Sequence, residues 1–213
     1  MTLVHHSFSE VFGRALHGTP CDVVGADGDS RPLPVADWRR PADEADLALL
    51  DLCRGATLDI GCGPGRLTAA LMERGHVALG IDIVPAAVGL TRERGGSAMV
   101  RSVFDDVPAE GRWGTALLAD GNVGIGGDPV QLLRRSRHLV EPLGRVVVEV
   151  LPPGAATRAE WAHLVCGSMR SRPFRWAEVG VDEIEGVARR AELRVVETVA
   201  ADERWFVVLE DRP

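Results

Sequence analysis

The sequence predicts a doubly wound α/β fold: a mostly parallel, seven-stranded sheet finished by a C-terminal antiparallel hairpin, with an N-terminal helical lid. Three observations predict it. From Thr57 to Glu149, short β-branched runs alternate with amphipathic stretches, the pattern of βαβ units. The first of these strands runs into a glycine-rich turn that opens directly into a helix. Near the end of the chain, Leu193–Ala200 and Arg204–Glu210 are two strand-like runs joined by a short Ala-Asp-Glu turn, which reads as an antiparallel hairpin.

The elements follow in order. A helix over about Ser7–Leu16 and a loop rich in Gly, Asp and Pro make residues 1–40 an appendage to a core of residues 41–213, all within a single domain. The helix Ala42–Leu52 leads into the strand Thr57–Ile60. Further strands are expected at Val77–Ile81, Ala98–Val103, Thr115–Ala119 and Arg145–Val150, with helices Arg66–Arg74, Pro85–Arg94 and Pro129–Val140 between them. The last of these helices opens with Asp128-Pro129, an N-cap followed by a first-turn proline, and closes before Pro142-Leu143-Gly144. Val181–Ala191 is a helix ahead of the hairpin, and residues 152–180 stand outside the alternation.

Composition narrows the function. A chain of 213 residues with 46% hydrophobic and 26% charged residues suits one well-filled domain. It has no apolar run of the roughly 18–20 residues that would cross a bilayer. The start also lacks a basic segment followed by an apolar one, so the expectation is a cytoplasmic protein without a membrane partner. Cys21, Cys53, Cys62 and Cys166 are scattered without CxxC spacing, which fits reduced thiols better than a disulfide framework, and no metal site is expected. A net charge of −7 lacks the basic footprint that a nucleic-acid backbone requires. The chain contains no lysine and no tyrosine. That removes a phosphate-binding Walker lysine, a Schiff-base amine, and any Lys or Tyr general base.

The strongest local signal is Leu58-Asp59-Ile60-Gly61-Cys62-Gly63-Pro64-Gly65-Arg66-Leu67. An apolar strand ends in an acid, and glycines at alternate positions turn the chain into a helix whose free N–H groups and positive dipole end face a ligand. A dinucleotide fingerprint would carry its third glycine one residue later, where Arg66 stands. The arrangement instead resembles motif I of the class I S-adenosylmethionine-dependent methyltransferases, a Rossmann-like family. The resemblance implies that Asp59, Gly61, Gly63 and Gly65 lie under the methionyl half of S-adenosyl-L-methionine. The second signal is Asp82, at the end of the next strand, where a carboxylate can accept hydrogen bonds from both ribose hydroxyls. By resemblance Asp82 has that role and Ile83 packs on the adenine.

After the third strand the family usually places an acid that holds the adenine amino group, but this chain has Ser102 there. Val103 and Phe104 are therefore expected to line the adenine, with Asp105 as its polar partner, although a capped loop accounts for the segment equally well. Strand four delivers Asp120 to the sheet's carboxyl edge, ahead of a run with glycines at 121, 124, 126 and 127. Resemblance sets this segment beside the methionyl amino group, with Asn122 as a catalytic or acceptor-site residue. The Asn/Asp-Pro-Pro-aromatic motif of methyltransferases acting on adenine or glutamine amides is absent, which counts against those acceptors.

The resemblance covers about residues 40–150. The flanking segments build the acceptor pocket in the family, so a catalytic base is sought there, at His163 or at His5 and His6. Trp38, Trp161 and Trp176 also fall in these segments, and Phe8 and Phe12 sit one helical turn apart. They point to a small hydrophobic or aromatic acceptor. The competing readings are an NAD(P)-dependent oxidoreductase and a non-catalytic S-adenosylmethionine-binding module. The identity of the acceptor, the methylated atom and the oligomeric state stay open.

Overall fold

The structure is a computed structural model that describes residues 5–212. Along the chain, β1 (His5–His6) and α1 (Phe8–Leu16) precede β2 (Cys21–Gly25), β3 (Ser30–Pro32), α2 (Val35–Arg39) and α3 (Glu44–Asp51). Next come β4 (Thr57–Ile60), α4 (Arg66–Glu73), β5 (Ala78–Asp82), α5 (Pro85–Glu93), β6 (Ala98–Val100) and β7 (Trp113–Leu118). A 3-10 turn at Asn122–Gly124 leads to α6 (Pro129–Leu139) and β8 (Val140–Val150). The chain ends with β9 (Arg158–Cys166), β10 (Met169–Ser171), β11 (Phe174–Glu178), α7 (Ile184–Arg190), β12 (Leu193–Ala201) and β13 (Arg204–Asp211).

The core is a seven-stranded sheet in the order β12-β13-β8-β7-β4-β5-β6. Strands β4 to β8 pair in parallel, while β13 runs antiparallel to β8 and β12 antiparallel to β13. The parallel strands are buried on both faces, which is why they read as unbroken apolar runs. Leu58, Ile60, Leu118, Val146 and Val148 pack with Leu132, Leu133 and Leu139 of α6 and with Ile184 and Val187 of α7. Leu117, Val147, Phe206 and Val208 point the other way, into Leu49 and Leu50 of α3 and Leu67 and Leu71 of α4. Strand order reverses at β4, with β5 on one side and β7 on the other, and ligands bind open α/β sheets at the carboxyl edge of such a point.

Above that edge lies a second sheet, and here the structure corrects the expected helical lid. Residues before 40 contribute β1, β2 and β3, the segment after 152 contributes β9, β10 and β11, and these strands join in the order β1-β10-β9-β2-β3 with β11 paired to β9. Helix α1 packs Val11 and Ala15 against Leu164 and Cys166 of this sheet, so the lid is a sheet with one helix on it. Smaller differences lie at element ends: β6 stops at Val100 rather than Val103, and β8 starts at Val140, directly after α6.

Two cysteines also depart from expectation. Cys21 and Cys166 are opposed across β2 and β9, 4.3 Å apart at Cα, and form a disulfide, where four reduced thiols are expected from the sequence. Their spacing along the chain hides a pairing that only the strand register creates. Cys53 and Cys62 are free and buried, and burial pushes the Cys53 thiol up to about 12, so it stays protonated and inert. Among the described residues, no helix is long and apolar enough to cross a membrane.

Charge, too, is organised at the carboxyl edge. Asp46, on the first turn of α3, is wholly buried and accepts hydrogen bonds from Arg40 and Arg204, both at 2.6 Å, and from Arg66. Arg204 in turn grips Glu149 through two parallel bonds of 2.8 Å. These guanidiniums hold the Asp46 carboxyl far below the usual carboxylate range despite its burial. A carboxyl with a depressed folded pKa stabilises fully above its unfolded value of about 3.9, and that contribution is lost as pH falls. Asp46→Ala is expected to cost about 3–5 kcal/mol, because it strands buried guanidiniums without a counter-charge. Urea denaturation at neutral pH measures this, with a smaller difference between variant and parent in acid.

Candidate active site

A cavity of about 720 Å³ lies between the carboxyl edge of the core sheet and the lid. Its floor is the turn from β4 into α4. Gly61, Gly63 and Gly65 all have positive φ, between 52° and 82°, which a side chain would strain. Their surroundings separate their tasks. A Cβ on Gly65 would lie 2.7 Å from the Thr91 Cα, so this glycine serves close packing of α4 on α5 and does not line the cavity. A Cβ on Gly61 would strike the Asn122 amide at 2.8 Å. Gly63 lines the cavity and has nothing within 4 Å of the Cβ it lacks, so it is the glycine that leaves space for a ligand.

Asp59 and Asp82 border this floor from adjacent strands. Asp59 is 2% exposed, accepts a 2.6 Å bond from the Thr68 hydroxyl, and is pushed up to about 6 by burial. Each oxygen of Asp82 accepts one backbone N–H, from Gly63 at 3.0 Å and from Val84 at 2.8 Å. Burial raises the Asp82 pKa, and these two bonds oppose the rise. Every oxygen of the pair keeps a free lone pair for a ligand. Ile83 lines the cavity with 51% of its surface open, a large apolar group at the margin without a covering partner.

Asp120, after β7, holds a left-handed φ of 51° that non-glycine residues seldom adopt. Two contacts keep it there: its N–H donates to Glu149 at 2.7 Å, and its carboxylate takes Arg66 at 2.6 and 2.7 Å. Asn122 donates to the carbonyls of Ile60 and Gly61 at 2.9 and 3.0 Å, so its amide nitrogen is spent on tethering the glycine turn. Arg66, Glu149 and Arg204 escaped the sequence reading. Arg66 carried a local signal, its place directly after the glycine turn; the other two are brought in only by tertiary pairing.

Several expected site residues lie elsewhere. Val103 lines the cavity, with Arg101 and Ser102 beside it, but Phe104 and Asp105 do not. Because β6 ends early, the chain folds away at this point: Phe104 lies beside Gly126, and the Asp105 carbonyl accepts from Arg135 at 2.7 Å. His163, the expected base, is outside the lining. Leu164 faces the cavity, and alternation along β9 sends its neighbour to the opposite face. There His163 sits 3.3 Å from Arg170, with its pKa lowered by burial and by that charge. His5, His6 and Trp161 are likewise absent from the lining.

The roof is aromatic. Phe8 and Phe12 stack at 5.2 Å, Phe174 meets Phe8 edge-on at 4.9 Å, Trp38 lies 5.7 Å from Phe12, and Trp176 lies 6.5 Å from Phe174. All five rings line the cavity. The roof seats on the floor through a bridge between Trp176 and Ile125 and through Gly124, where any Cβ would fall 1.9 Å from the Ala177 carbonyl. Glu178 ties the roof strands together by pairing with Arg31 at 2.6 Å and Arg158 at 2.8 Å.

Comparison with known proteins agrees with this geometry. A family model described as a methyltransferase domain matches residues 57–144, the segment from β4 into β8. A solved S-adenosylmethionine-dependent methyltransferase from Bacteroides fragilis, in complex with S-adenosyl-L-homocysteine, superposes with a TM-score of 0.80 at 18% identity. The match covers 100% of this chain and 98% of that one. The CcbJ methyltransferase from Streptomyces caelestis gives 0.63 at 17% identity, over 83% and 92% of the two chains. The Burkholderia thailandensis 1,6-didemethyltoxoflavin-N1-methyltransferase gives 0.57 at 21%, over 83% and 79%. Residues 57–144 thus match the model of a methyltransferase domain, and the whole chain shares the fold of the solved S-adenosylmethionine-dependent methyltransferase on which it superposes.

Proposed function

We propose that this protein transfers the methyl group of S-adenosylmethionine to a small hydrophobic or aromatic molecule by in-line displacement. The observation that carries the proposal is the meeting of the open Gly63 turn and the Asp82 carboxylate on the floor of one cavity roofed by aromatic rings.

The residues present fit the cofactor. The free lone pairs of Asp82 suit the two ribose hydroxyls, and the uncovered Ile83 offers a face to the adenine, with Ser102 and Val103 beyond it. At the other end, Arg66 Nε is buried without a partner, a donor that the methionyl carboxylate would satisfy. Asp59 and Asp120 supply negative charge for the methionyl ammonium. When bound, the cofactor supplies a methyl group already activated by a sulfonium. The chain's own contribution is to hold the acceptor lone pair behind that carbon and to exclude water, and the aromatic roof does both. The Burkholderia neighbour, named for 1,6-didemethyltoxoflavin, supports a small-molecule acceptor.

Two measurements test the cofactor site. Asp82→Ala is expected to weaken S-adenosylhomocysteine binding by about 1–3 kcal/mol, the value of hydrogen bonds to a charged group, by calorimetry; unchanged affinity would remove Asp82 from the site. The second concerns pH. In the free protein Asp59 takes up a proton below about 6, and a bound ammonium favours its ionised form. Affinity should therefore fall by up to about tenfold per pH unit below that point, and Asp59→Asn should flatten the profile. The same raised pKa gives the free protein stability as pH falls from about 6 towards the unfolded value of about 3.9, the opposite sign to Asp46.

A further inference from the structure

The groups around the acceptor half of the cavity bear on which atom is methylated. Displacement needs a lone pair. A hydroxyl must shed its proton to offer a good one, and an alkylamine, with a pKa near that of lysine at about 10.4, arrives protonated and must also lose a proton. Both call for a base. A ring nitrogen of a heteroaromatic molecule, with a basicity at or below that of imidazole at about 6.5, presents its lone pair at neutral pH unaided.

Under the roof, the carboxylates are already engaged. Asp120, whose pKa burial raises, is held by Arg66, which opposes that rise, Glu149 by Arg204, and Glu178 by Arg31 and Arg158. These arginines keep the Glu178 carboxyl low despite its burial, which makes it a poor proton acceptor. Cys62 lines the cavity with its thiol pushed well up by burial. None of the histidines lines the cavity, and the chain has neither lysine nor tyrosine. Asp59 lies at the floor, on the side that the reading above assigns to the cofactor.

The roof adds an independent observation. Its five rings line the cavity, and aromatic rings attract cations. Methylating a neutral ring nitrogen creates a cation among these rings, whereas methylating an oxygen anion creates a neutral product that gains nothing from them. Of the arginines on this side, Arg31 shares the Glu178 carboxylate with Arg158, and Arg175 is exposed to solvent.

From these observations, and resting on the cofactor reading above, we propose that the acceptor is a heteroaromatic molecule methylated on a ring nitrogen. The nitrogen lone pair forms the new bond to the methyl carbon as the carbon–sulfur pair withdraws onto sulfur. The positive charge passes from sulfonium to ring, and where the ring also carries N–H, that proton then leaves to water.

The test first establishes S-adenosylhomocysteine binding by calorimetry; its absence would sink the cofactor reading itself. With that complex formed, 2-methylisoquinolinium and its neutral isostere 2-methylnaphthalene are titrated against it. The cation is expected to bind at least about fivefold more tightly. Trp176→Leu and, separately, Trp38→Leu should each reduce that preference while S-adenosylhomocysteine affinity holds. In parallel, isoquinoline and 2-naphthol are offered with S-adenosylmethionine, and mass spectrometry should find the N-methyl cation without the methyl ether. Equal or tighter binding of the hydrocarbon, formation of the ether, or no N-methyl product, in a protein that binds S-adenosylhomocysteine, overturns this inference and leaves the cofactor reading standing.

Discussion

The carboxyl edge of the core sheet depends on one buried cation. Arg66 follows the glycine turn directly and joins Asp46 on α3 to Asp120 beyond β7, and Arg204 repeats the connection from Asp46 to Glu149 on β8. Five segments, α3, α4, the turn after β7, β8 and β13, are thereby cross-braced. Such a network is not evidence of extra stability, since desolvating its charges costs about as much as their pairing returns. What it supplies is geometry. Asp120 stays in a strained backbone conformation, and the glycine turn keeps a fixed height beneath the cavity.

Geometry of this kind also decides what the aromatic roof can do. Rings over a loose floor would pack onto it and close the space. Here Gly124 admits β11 to backbone contact with the 3-10 turn, and the Asn122 amide pins that turn to the strand carrying the glycines. Roof and floor are held apart at one end by backbone, and the chamber between them persists.

The parallel core was legible because its signals are local. Strands buried on both faces show as continuous apolar runs, the cap of α6 is written in Asp128-Pro129, and the glycine turn is a contiguous motif. The lid was not, because β2 meets β9 and its cysteines are 145 residues apart in sequence, so no window of the chain contains the pairing. His163 shows the limit most simply. Its segment does reach the cavity, but which of two adjacent side chains faces inward is a matter of strand register, and Leu164 holds that place. Phe104 and Asp105 were misplaced by three residues of strand that β6 does not have. The charge network was invisible for a different reason: ion pairs between distant segments leave no periodicity.

The lid draws its strands from two distant segments, β1, β2 and β3 ahead of the core strands and β9, β10 and β11 between β8 and the closing pair β12 and β13. Contacts this remote form late in folding, because closing long loops must be repaid by the contacts they bring together. The same arrangement separates two kinds of change in evolution: substitutions in the two lid segments can reshape what enters the chamber, while the stretch between them, which carries the glycine turn and its carboxylates, is left alone.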